Sequence, residues 1–327
     1  MKVYVLEKRF LSPDAEEIQR AGFTSAGKEV VIAQWSTPQE VIDGAKDAEA
    51  IMVMAIAVDA KVMDAMPNLK FIGRTGIGVD NVDLAAATER GIVVCNVPDH
   101  CNHEVASQSF TMMMALKRKL MPFIKRAKEG GYAQGQGVVV HRLKGQTLGV
   151  IGYGKIGREI AKMGLGMGMN IAVFDPFIKE LNESGVTLYS NFEDVLKVSD
   201  AISLHLPLTP ETEHMISMPQ LKMMKKDAVL INASRGGIVK TDDLIEALKA
   251  GIIEGAALDV CEGEPLPVNH ELLAMDNVIF TPHVGMYSEE ATNDMHQKLV
   301  NQALDVLAGR STANIVNPEV KEKAGLK

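Results

Sequence analysis

The sequence lacks a long apolar run and has few cysteines, and both absences narrow what the protein can be. No stretch of the 327 residues is long and apolar enough to span a membrane. Charges follow the first methionine at once, so the N-terminus predicts a strand and not a signal peptide. The three cysteines, Cys95, Cys101 and Cys261, are scattered without metal-type spacing. We therefore expect reduced thiols, a cytoplasmic location, and neither a metal nor a membrane partner.

The excess of positive charge that a nucleic-acid-binding protein needs is also missing. The formal net charge is −8, and the short basic runs at 117–119 and 222–226 are typical of solvated helix faces. A composition of 46% hydrophobic and 23% charged residues is that of a soluble globular protein. The length suits about two domains, and we expect no nucleic-acid partner.

Apolar strand-like runs alternate with helical patterns along the whole chain, which predicts parallel sheets covered by helices. A long apolar helix, predicted at 104–121 and ended by Pro122, separates two such series. A last helix, predicted at 288–309, can return to the first series. The prediction is an α/β protein with two doubly wound parallel-sheet domains. A domain at 102–291 is inserted into a discontinuous domain of 1–101 and 292–327, and the active site is expected in the cleft between them.

The stretch 147–175 has the order of a dinucleotide-binding unit: apolar run, GYGKIG turn, helical segment, second apolar run and acidic residue. Gly152 permits the tight turn, Gly154 lets the backbone approach a pyrophosphate, and Gly157 lets helix and strand pack closely. The helix N-terminus attracts the pyrophosphate through its free N–H groups and its dipole. Asp175 can accept hydrogen bonds from the adenine ribose and would repel a 2′-phosphate, so the sequence predicts NAD in preference to NADP.

Three polar residues each follow a strand of the second series: Arg235 in LINASRGG, Glu264 in ALDVCEGEP and His283 in VIFTPHVG. Such positions face the ligand crevice of a parallel sheet. An arginine there can grip a carboxylate, a histidine can exchange a proton, and a glutamate beside it can fix its tautomer. Together they predict hydride transfer at a 2-hydroxy or 2-keto carboxylate. Position alone leaves Glu262 open as the alternative to Glu264, and His205 as the alternative to His283.

Long motifs in both series point to one known family. They are GYGKIG with Asp175, SLHLPLTPET, LINASRGGIV, ALDVCEGEPLP and TPHVG in the second series, and LKFIGRTGIGVDNVD and GIVVCNVPD in the first. In this order they resemble the D-isomer-specific 2-hydroxyacid dehydrogenases over nearly the whole chain. The resemblance implies a Rossmann NAD domain inserted into a flavodoxin-like substrate domain. It also implies a homodimer, which the apolar helix at 105–121 and the glycine-rich loop at 130–137 favour.

The resemblance implies a role for each matching residue. Arg235 binds the substrate carboxylate and carbonyl, His283 donates the proton, and Glu264 pairs with His283. The other matches in the second domain are to cofactor-binding residues: Gly152, Gly154, Lys155, Ile156, Gly157, Asp175, His205, Pro207, Thr212, Ala233, Ser234, Arg235, Asp259, His283 and Gly285.

The matches to substrate-binding residues in the first domain are Arg74 and the main-chain N–H groups of Gly76, Ile77 and Gly78, which would cradle the carboxylate. RTGIGVDNVD resembles phosphoglycerate dehydrogenases, in which the arginine can meet a phosphate. NVPDHCNHEVA and HVGMYSEEA are more similar to the branch of the C-terminal-binding-protein corepressors.

One arginine supplies fewer hydrogen-bond donors than a phosphate-binding site usually has. We expect a small 2-keto acid such as glyoxylate, hydroxypyruvate or pyruvate. The alternatives are a 3-phosphoglycerate dehydrogenase and an NAD-sensing protein-binding module.

Overall fold

The computed structural model describes residues 2–132 and 137–327. Residues 133–136, in the middle of the predicted glycine-rich loop, lie outside the described residues. The chain divides into two compact units, Met1–Cys101 with Ser288–Lys327, and Asn102–Tyr287. Across the described ranges, no helix is long and apolar enough to cross a membrane.

The elements alternate as the sequence predicts. The strands are β1 (Lys2–Val5), β2 (Glu29–Ile32), β3 (Ala48–Val53), β4 (Phe71–Arg74), β5 (Val93–Cys95), β6 (Thr147–Ile151), β7 (Asn170–Phe174), β8 (Val186–Leu188), β9 (Ala201–Leu204), β10 (Val229–Asn232), β11 (Gly255–Leu258) and β12 (Val278–Phe280). The helices are α1 (Pro13–Ser25), α2 (Pro38–Gly44), α3 (Ala60–Asp64), α4 (Leu84–Glu89), α5 (Asn102–Lys117), α6 (Leu120–Lys128), α7 (Lys155–Gly166), α8 (Phe192–Val198), α9 (Met218–Leu221), α10 (Thr241–Lys249), α11 (Glu271–Ala274), α12 (Glu289–Leu307) and α13 (Val320–Lys323).

Each unit contains one parallel sheet. The first sheet has the order β2-β1-β3-β4-β5, which is the flavodoxin-like order. The second has the order β12-β11-β10-β9-β6-β7-β8, the Rossmann order with one further strand, and its direction of winding reverses between β6 and β9. The predicted fold class is therefore confirmed. Ligands of doubly wound sheets bind outside the carboxyl ends of the strands at such a reversal.

Helix α1 contains a glycine at its contact with α12. Ser12 caps it by accepting a hydrogen bond from the N–H of Ala15, with Pro13 in the first turn. A glycine in a helical run often marks the end of a helix, but Gly22 lies inside α1. A Cβ at Gly22 would lie 2.6 Å from Cγ1 of Val300 in α12. The glycine therefore serves the close packing of α1 on α12.

The helix predicted at 104–121 is in fact two helices. Helix α5 ends at Lys117, and α6 begins at Leu120, after Lys119 has adopted a left-handed conformation with φ of 54°. Pro122 does not end a helix, because it lies in the first turn of α6. The missing N–H of a proline costs no helical hydrogen bond in a first turn.

A buried carboxylate holds the loop after β3. Glu7 is 3% exposed, and its Oε2 accepts hydrogen bonds from the N–H groups of Met54 (2.7 Å), Ala55 (2.8 Å) and Ile56 (3.4 Å). The amide of Asn81 donates to the carbonyl oxygens of Met54 and Ile56. The backbone of this loop is thus bonded within its own unit.

The packing of α1 on α12 also buries an imidazole. His296 is 2% exposed, and its Nδ1 lies 2.8 Å from Nε2 of Gln19, which is fully buried. Burial, assisted by repulsion from His100, lowers the pKa of His296 from 6.5 to about 4. The folded protein therefore resists protonation of His296, whereas the unfolded chain accepts the proton.

We expect the free energy of unfolding of the wild type to fall as the pH drops from 6.5 to about 4. His296→Gln should reduce this slope by up to about 1.4 kcal/mol per pH unit. Urea unfolding at several pH values can be followed through Trp35, the single tryptophan. The matched control is the exposed His141→Gln, and equal slopes for wild type and His296→Gln would contradict the assignment.

Candidate active site

The polar residues predicted for the second unit lie at the carboxyl edge of its sheet, each after a different strand. Backbone hydrogen bonds link neighbouring strand ends along this edge. Gly152 N–H donates to Phe174 O, and His205 N–H donates to Ile151 O, both at 2.8 Å. Further along the edge, Asp259 N–H donates to the carbonyl oxygen that ends β10, and Thr281 N–H to the one that ends β11, both at 2.9 Å. The candidate residues thus lie in one row.

The glycine turn between β6 and α7 leaves room only where a phosphate is expected. Gly152 has φ of +90°, and a Cβ there would lie 2.3 Å from His205 O. A Cβ at Gly157 would lie 2.1 Å from Gly152 O, so helix and turn are in direct contact. A Cβ at Gly154, the N-cap of α7, would meet nothing within 4 Å. The N–H groups of Lys155 and Ile156 follow at this open helix end, which suits a pyrophosphate.

Asp175 lies beside this turn, after β7. Its Oδ2 accepts a hydrogen bond from Tyr153 N–H at 2.8 Å, and its Oδ1 accepts one from Phe177 N–H at 2.9 Å. A carboxylate has about four acceptor positions, so two remain for ribose hydroxyls. The turn, the helix end and the acidic residue therefore fit an adenine dinucleotide.

The loop after β9 carries three more of the predicted cofactor residues. The hydroxyl of Thr212 donates to Pro207 O at 2.7 Å and accepts from Thr209 N–H at 2.8 Å, which closes the loop. His205 Nε2 lies 2.9 Å from the hydroxyl of Ser203. Burial lowers the pKa of His205 to about 4. His205 is therefore neutral near pH 7, which disfavours it as the proton donor that the sequence left open.

The turn after β10 holds Ala233, Ser234 and Arg235. Asn232, which is 1% exposed, accepts hydrogen bonds from the N–H and hydroxyl of Ser234 and donates to Arg235 O. The guanidinium of Arg235 donates to Ser234 O at 2.8 Å. Asn232 was not predicted as a site residue. Its role could have been predicted from its residue type and position, because asparagine side chains in turns often form hydrogen bonds with the backbone two residues further along the chain.

His283 and Glu264 form the acid–base pair that the sequence favours. His283 Nδ1 lies 2.9 Å from Glu264 Oε2, and Glu264 Oε1 accepts from Cys261 N–H at 2.9 Å. Burial alone would raise the pKa of Glu264, but the hydrogen bonds from His283 and Cys261 and the charge of Arg235 lower it overall. Glu264 is therefore ionised at neutral pH and holds the imidazole in one orientation.

Asp259 fixes the backbone at His283. It is 2% exposed, and its Oδ1 accepts from the Thr281 hydroxyl and from Val284 N–H, whereas its Oδ2 accepts from Gly285 N–H at 2.7 Å. His283 N–H donates to Asp259 O, and His283 itself is left-handed with φ of 55°. A left-handed non-glycine residue is uncommon and requires such support.

Glu262, the alternative to Glu264, bonds elsewhere. Its Oε1 lies 2.5 Å from His214 Nε2, and its Oε2 accepts from Thr241 N–H at 2.6 Å. Burial alone would raise the pKa of Glu262, but the bonds from Thr241 and His214 lower it overall. Glu262 thus forms a His–Glu pair with His214, whereas Glu264 forms one with His283. The His214–Glu262 pair was not predicted.

The predicted substrate cradle lies in the first unit, after β4. The carbonyl oxygens of Gly76 and Ile77 accept hydrogen bonds from Val97 N–H (3.0 Å) and the amide of Asn96. These bonds fix the turn that continues into Gly78. Arg74 Nη1 donates to Thr75 O at 3.0 Å.

No metal cluster accompanies these residues: within 2–132 and 137–327, no three His, Cys, Asp or Glu side chains are grouped to hold an ion.

The sequence profile described as "D-isomer specific 2-hydroxyacid dehydrogenase, NAD binding domain" matches residues 110–285. The chain belongs to the D-isomer-specific 2-hydroxyacid dehydrogenase family. This confirms the resemblance seen in the motifs, and it identifies NAD as the cofactor of this chain.

The relatives of this chain include proteins that are named for different substrates. It is 42% identical to a D-3-phosphoglycerate dehydrogenase of Methanocaldococcus jannaschii, over 91% of this chain but only 57% of that relative. It is 35% identical to a glyoxylate reductase of Thermococcus litoralis, over 93% of this chain and 96% of that relative. The NAD-complexed structure of a D-isomer specific 2-hydroxyacid dehydrogenase from Lactobacillus delbrueckii ssp. bulgaricus matches with a TM-score of 0.81 at 28% identity, covering 97% of this chain and 100% of that chain.

Proposed function

We propose that this protein transfers hydride between NAD and C2 of a small D-2-hydroxy acid or its 2-keto acid. The observation that carries the proposal is the His283–Glu264 pair beside the Arg235 turn, at the same sheet edge as the glycine turn. In this proposal, residues 102–291 bind NAD, and residues 1–101 with 292–327 form the substrate domain. A cytoplasmic location is proposed with it.

In the reducing direction, bound NADH supplies a hydride for C2 of the keto acid. Arg235 holds the carboxylate with parallel hydrogen bonds and polarises the carbonyl oxygen, which stabilises negative charge as it develops there. Glu264 accepts the hydrogen bond of His283 Nδ1. His283 can then donate its other proton, from Nε2, to the carbonyl oxygen and recover it from water. The N–H groups of Gly76, Ile77 and Gly78 are proposed to bind the carboxylate as well.

We favour an unphosphorylated substrate because of the loop after β3. Its N–H groups at Met54, Ala55 and Ile56 donate to the carboxylate of Glu7, so they are already engaged. A phosphate group usually gathers several donors, and these three N–H groups cannot supply them. Glyoxylate, hydroxypyruvate and pyruvate need no such donors.

A second candidate activity is that of a 3-phosphoglycerate dehydrogenase. The Methanocaldococcus jannaschii relative favours it, and Arg74 at the end of β4 is the side chain that could meet a phosphate. The chain spans 57% of the length of that relative, and one arginine supplies fewer donors than a phosphate usually gathers.

We expect hydroxypyruvate to be reduced with a higher kcat/KM than phosphohydroxypyruvate. The measurement is NADH oxidation with a panel of 2-keto acids in the wild type, in Arg74→Ala and in the control Arg20→Ala, whose exposed arginine pairs with Glu16. If phosphohydroxypyruvate is preferred by about tenfold, or about 1.4 kcal/mol, and only Arg74→Ala removes this preference, the second candidate is correct. NADH binding without turnover of any acid would instead favour an NAD-sensing protein-binding module.

We also propose a homodimer, formed through the exposed apolar side chains of α6. Leu120, Met121 and Ile124 are 49%, 52% and 38% exposed. Neighbouring apolar side chains at this exposure are typical of a protein interface.

Light scattering at micromolar concentration is expected to give about twice the 35.4 kDa of the chain. Met121→Glu should shift the mass towards the monomer because it places a charge in the apolar contact. Met223→Glu, at an exposed methionine outside α6, serves as the control. A monomeric wild type would contradict the proposal.

A further inference from the structure

Glu183, in the segment between β7 and β8, binds two side chains of the glycine-turn region. Its Oε2 accepts a hydrogen bond from the hydroxyl of Tyr153 at 2.7 Å, and its Oε1 accepts one from Arg158 Nη1 at 2.8 Å. The guanidinium carbon of Arg158 lies 4.5 Å from the centre of the Tyr153 ring. These three residues, the Tyr153–Arg158–Glu183 cluster, contact one another pairwise.

The cluster is joined to Asp175, the residue that is proposed to bind the adenine ribose. Tyr153 lies between Gly152 and Gly154, and its N–H donates to Asp175 Oδ2 at 2.8 Å. Tyr153 is 2% exposed, and it is bonded to Asp175 through its backbone N–H and to Glu183 through its hydroxyl. Arg158 lies in the first turns of α7, whose N-terminus is the phosphate-binding end.

This position makes Arg158 relevant to the choice between NAD and NADP. Arginine is the side chain best suited to a 2′-phosphate, because its planar fork matches phosphate oxygens. Here one nitrogen of that fork, Nη1, donates a hydrogen bond to Glu183, and the two opposite charges form an ion pair. The Arg158 and Glu183 side chains are 42% and 43% exposed. Exposed ion pairs contribute little to folding stability, so stability does not account for the pair.

We propose that Glu183 is a second specificity-determining residue for the cofactor, acting with Asp175. It holds Arg158 against the ring of Tyr153, so that the cation cannot turn towards a 2′-phosphate, and it adds a negative charge on the same side. Asp175 repels the 2′-phosphate directly, and Glu183 withholds the cation that could attract it. This inference rests on the proposed NAD-dependent function.

The test is calorimetric titration of the purified protein with NADH and with NADPH, which measures binding without turnover. Glu183→Gln should tighten NADPH binding by about tenfold, because it frees Arg158 and removes one repulsive charge. NADH binding should change by less than about threefold, which also shows that the variant is folded. Adding Arg158→Gln to Glu183→Gln should remove most of the gain for NADPH, namely the part that depends on the freed cation.

The matched control is Glu180→Gln, which removes the same charge from an exposed glutamate of the same segment. An equal gain for NADPH in Glu180→Gln and Glu183→Gln would overturn the inference, because it would reflect net charge alone. An unchanged NADPH affinity in Glu183→Gln, with NADH binding intact, would overturn it as well. A wild type that binds neither cofactor would overturn the proposed function itself.

Discussion

His283→Ala is expected to lower kcat for 2-keto acid reduction by about 10²–10⁴-fold, which is the usual cost of losing a positioned general acid. NADH affinity should change little, because the imidazole bonds Glu264 and not the glycine turn. The side chain of His283 is 52% exposed, so its loss removes little packing. Stopped-flow measurement of NADH oxidation together with NADH titration separates the two effects.

The structure supplies a close control for this experiment. His214 is also exposed and left-handed, with φ of 51°, and it is also paired with a glutamate, Glu262. His214→Ala therefore also places alanine in a left-handed conformation and removes a His–Glu pair. His214 has no proposed role in proton transfer. We expect His214→Ala to retain activity within about tenfold, the smaller loss that follows when no proton donor is removed. Equal losses in the two variants would mean that His283 acts through structure and not as the acid.

The backbone strain at His283 can be separated further. Asparagine tolerates left-handed conformations better than alanine, so His283→Asn keeps the turn but lacks a group that titrates near neutral pH. If His283→Asn is as inactive as His283→Ala, the loss is chemical. Recovery of activity in His283→Asn would assign the effect to the turn that Asp259 holds.

The strand ends and the glycine turn could be predicted from the sequence because a parallel sheet aligns the carboxyl ends of its strands on one edge. Asp175, Arg235, Glu264 and His283 all follow this rule. In the sequence, each of these residues follows an apolar run that ends at a polar residue, which predicts the end of a strand. The periodicity of the runs and the spacing of the glycines involve residues that are close in sequence, so both can be recognised in a single sequence.

The position of a residue after its strand could not decide its partner, because pairing depends on side chains that are distant in sequence. Glu262 and Glu264 differ by two positions and have the same charge, yet one meets His214 and the other His283. Glu7 holds a loop 47 residues away through backbone N–H groups, which carry no sequence signature. Whether two such side chains meet depends on the conformation of the turns that carry them.

Three errors in the predicted elements also have physical causes. Strand β8 (Val186–Leu188) was missed because it is a three-residue edge strand with no fully buried side chain, so it shows no apolar run. The helix predicted at 104–121 is interrupted at Lys119, which has a left-handed conformation. Lysine rarely adopts this conformation, so its residue type does not predict the break. Pro122 was misread as the end of a helix because its position within the first turn of α6 cannot be known before that helix is placed.

The second large effect is expected at Arg235, which is proposed to bind the substrate carboxylate. Arg235→Ala should lower kcat/KM by about 10²–10³-fold, because losing one partner of a desolvated charge pair costs about 2–5 kcal/mol. Arg235→Lys should lie between wild type and alanine, since an ammonium keeps the charge but not the fork of parallel donors. The measurement is kcat and KM for a 2-keto acid at saturating NADH.

The controls decide whether this loss reflects substrate binding or a disturbed turn. Lys240→Ala removes a cation five residues further along the chain, one that pairs with Asp243. It should leave kcat/KM within about threefold, because this partly exposed ion pair has no proposed role in substrate binding. Millimolar guanidine should restore part of the activity of Arg235→Ala and none of that of His283→Ala, because it replaces only the missing donor group. Wild-type kcat/KM in Arg235→Lys would contradict the two-donor clamp. Loss of NADH binding in Arg235→Ala would show instead that the arginine supports the turn held by Asn232.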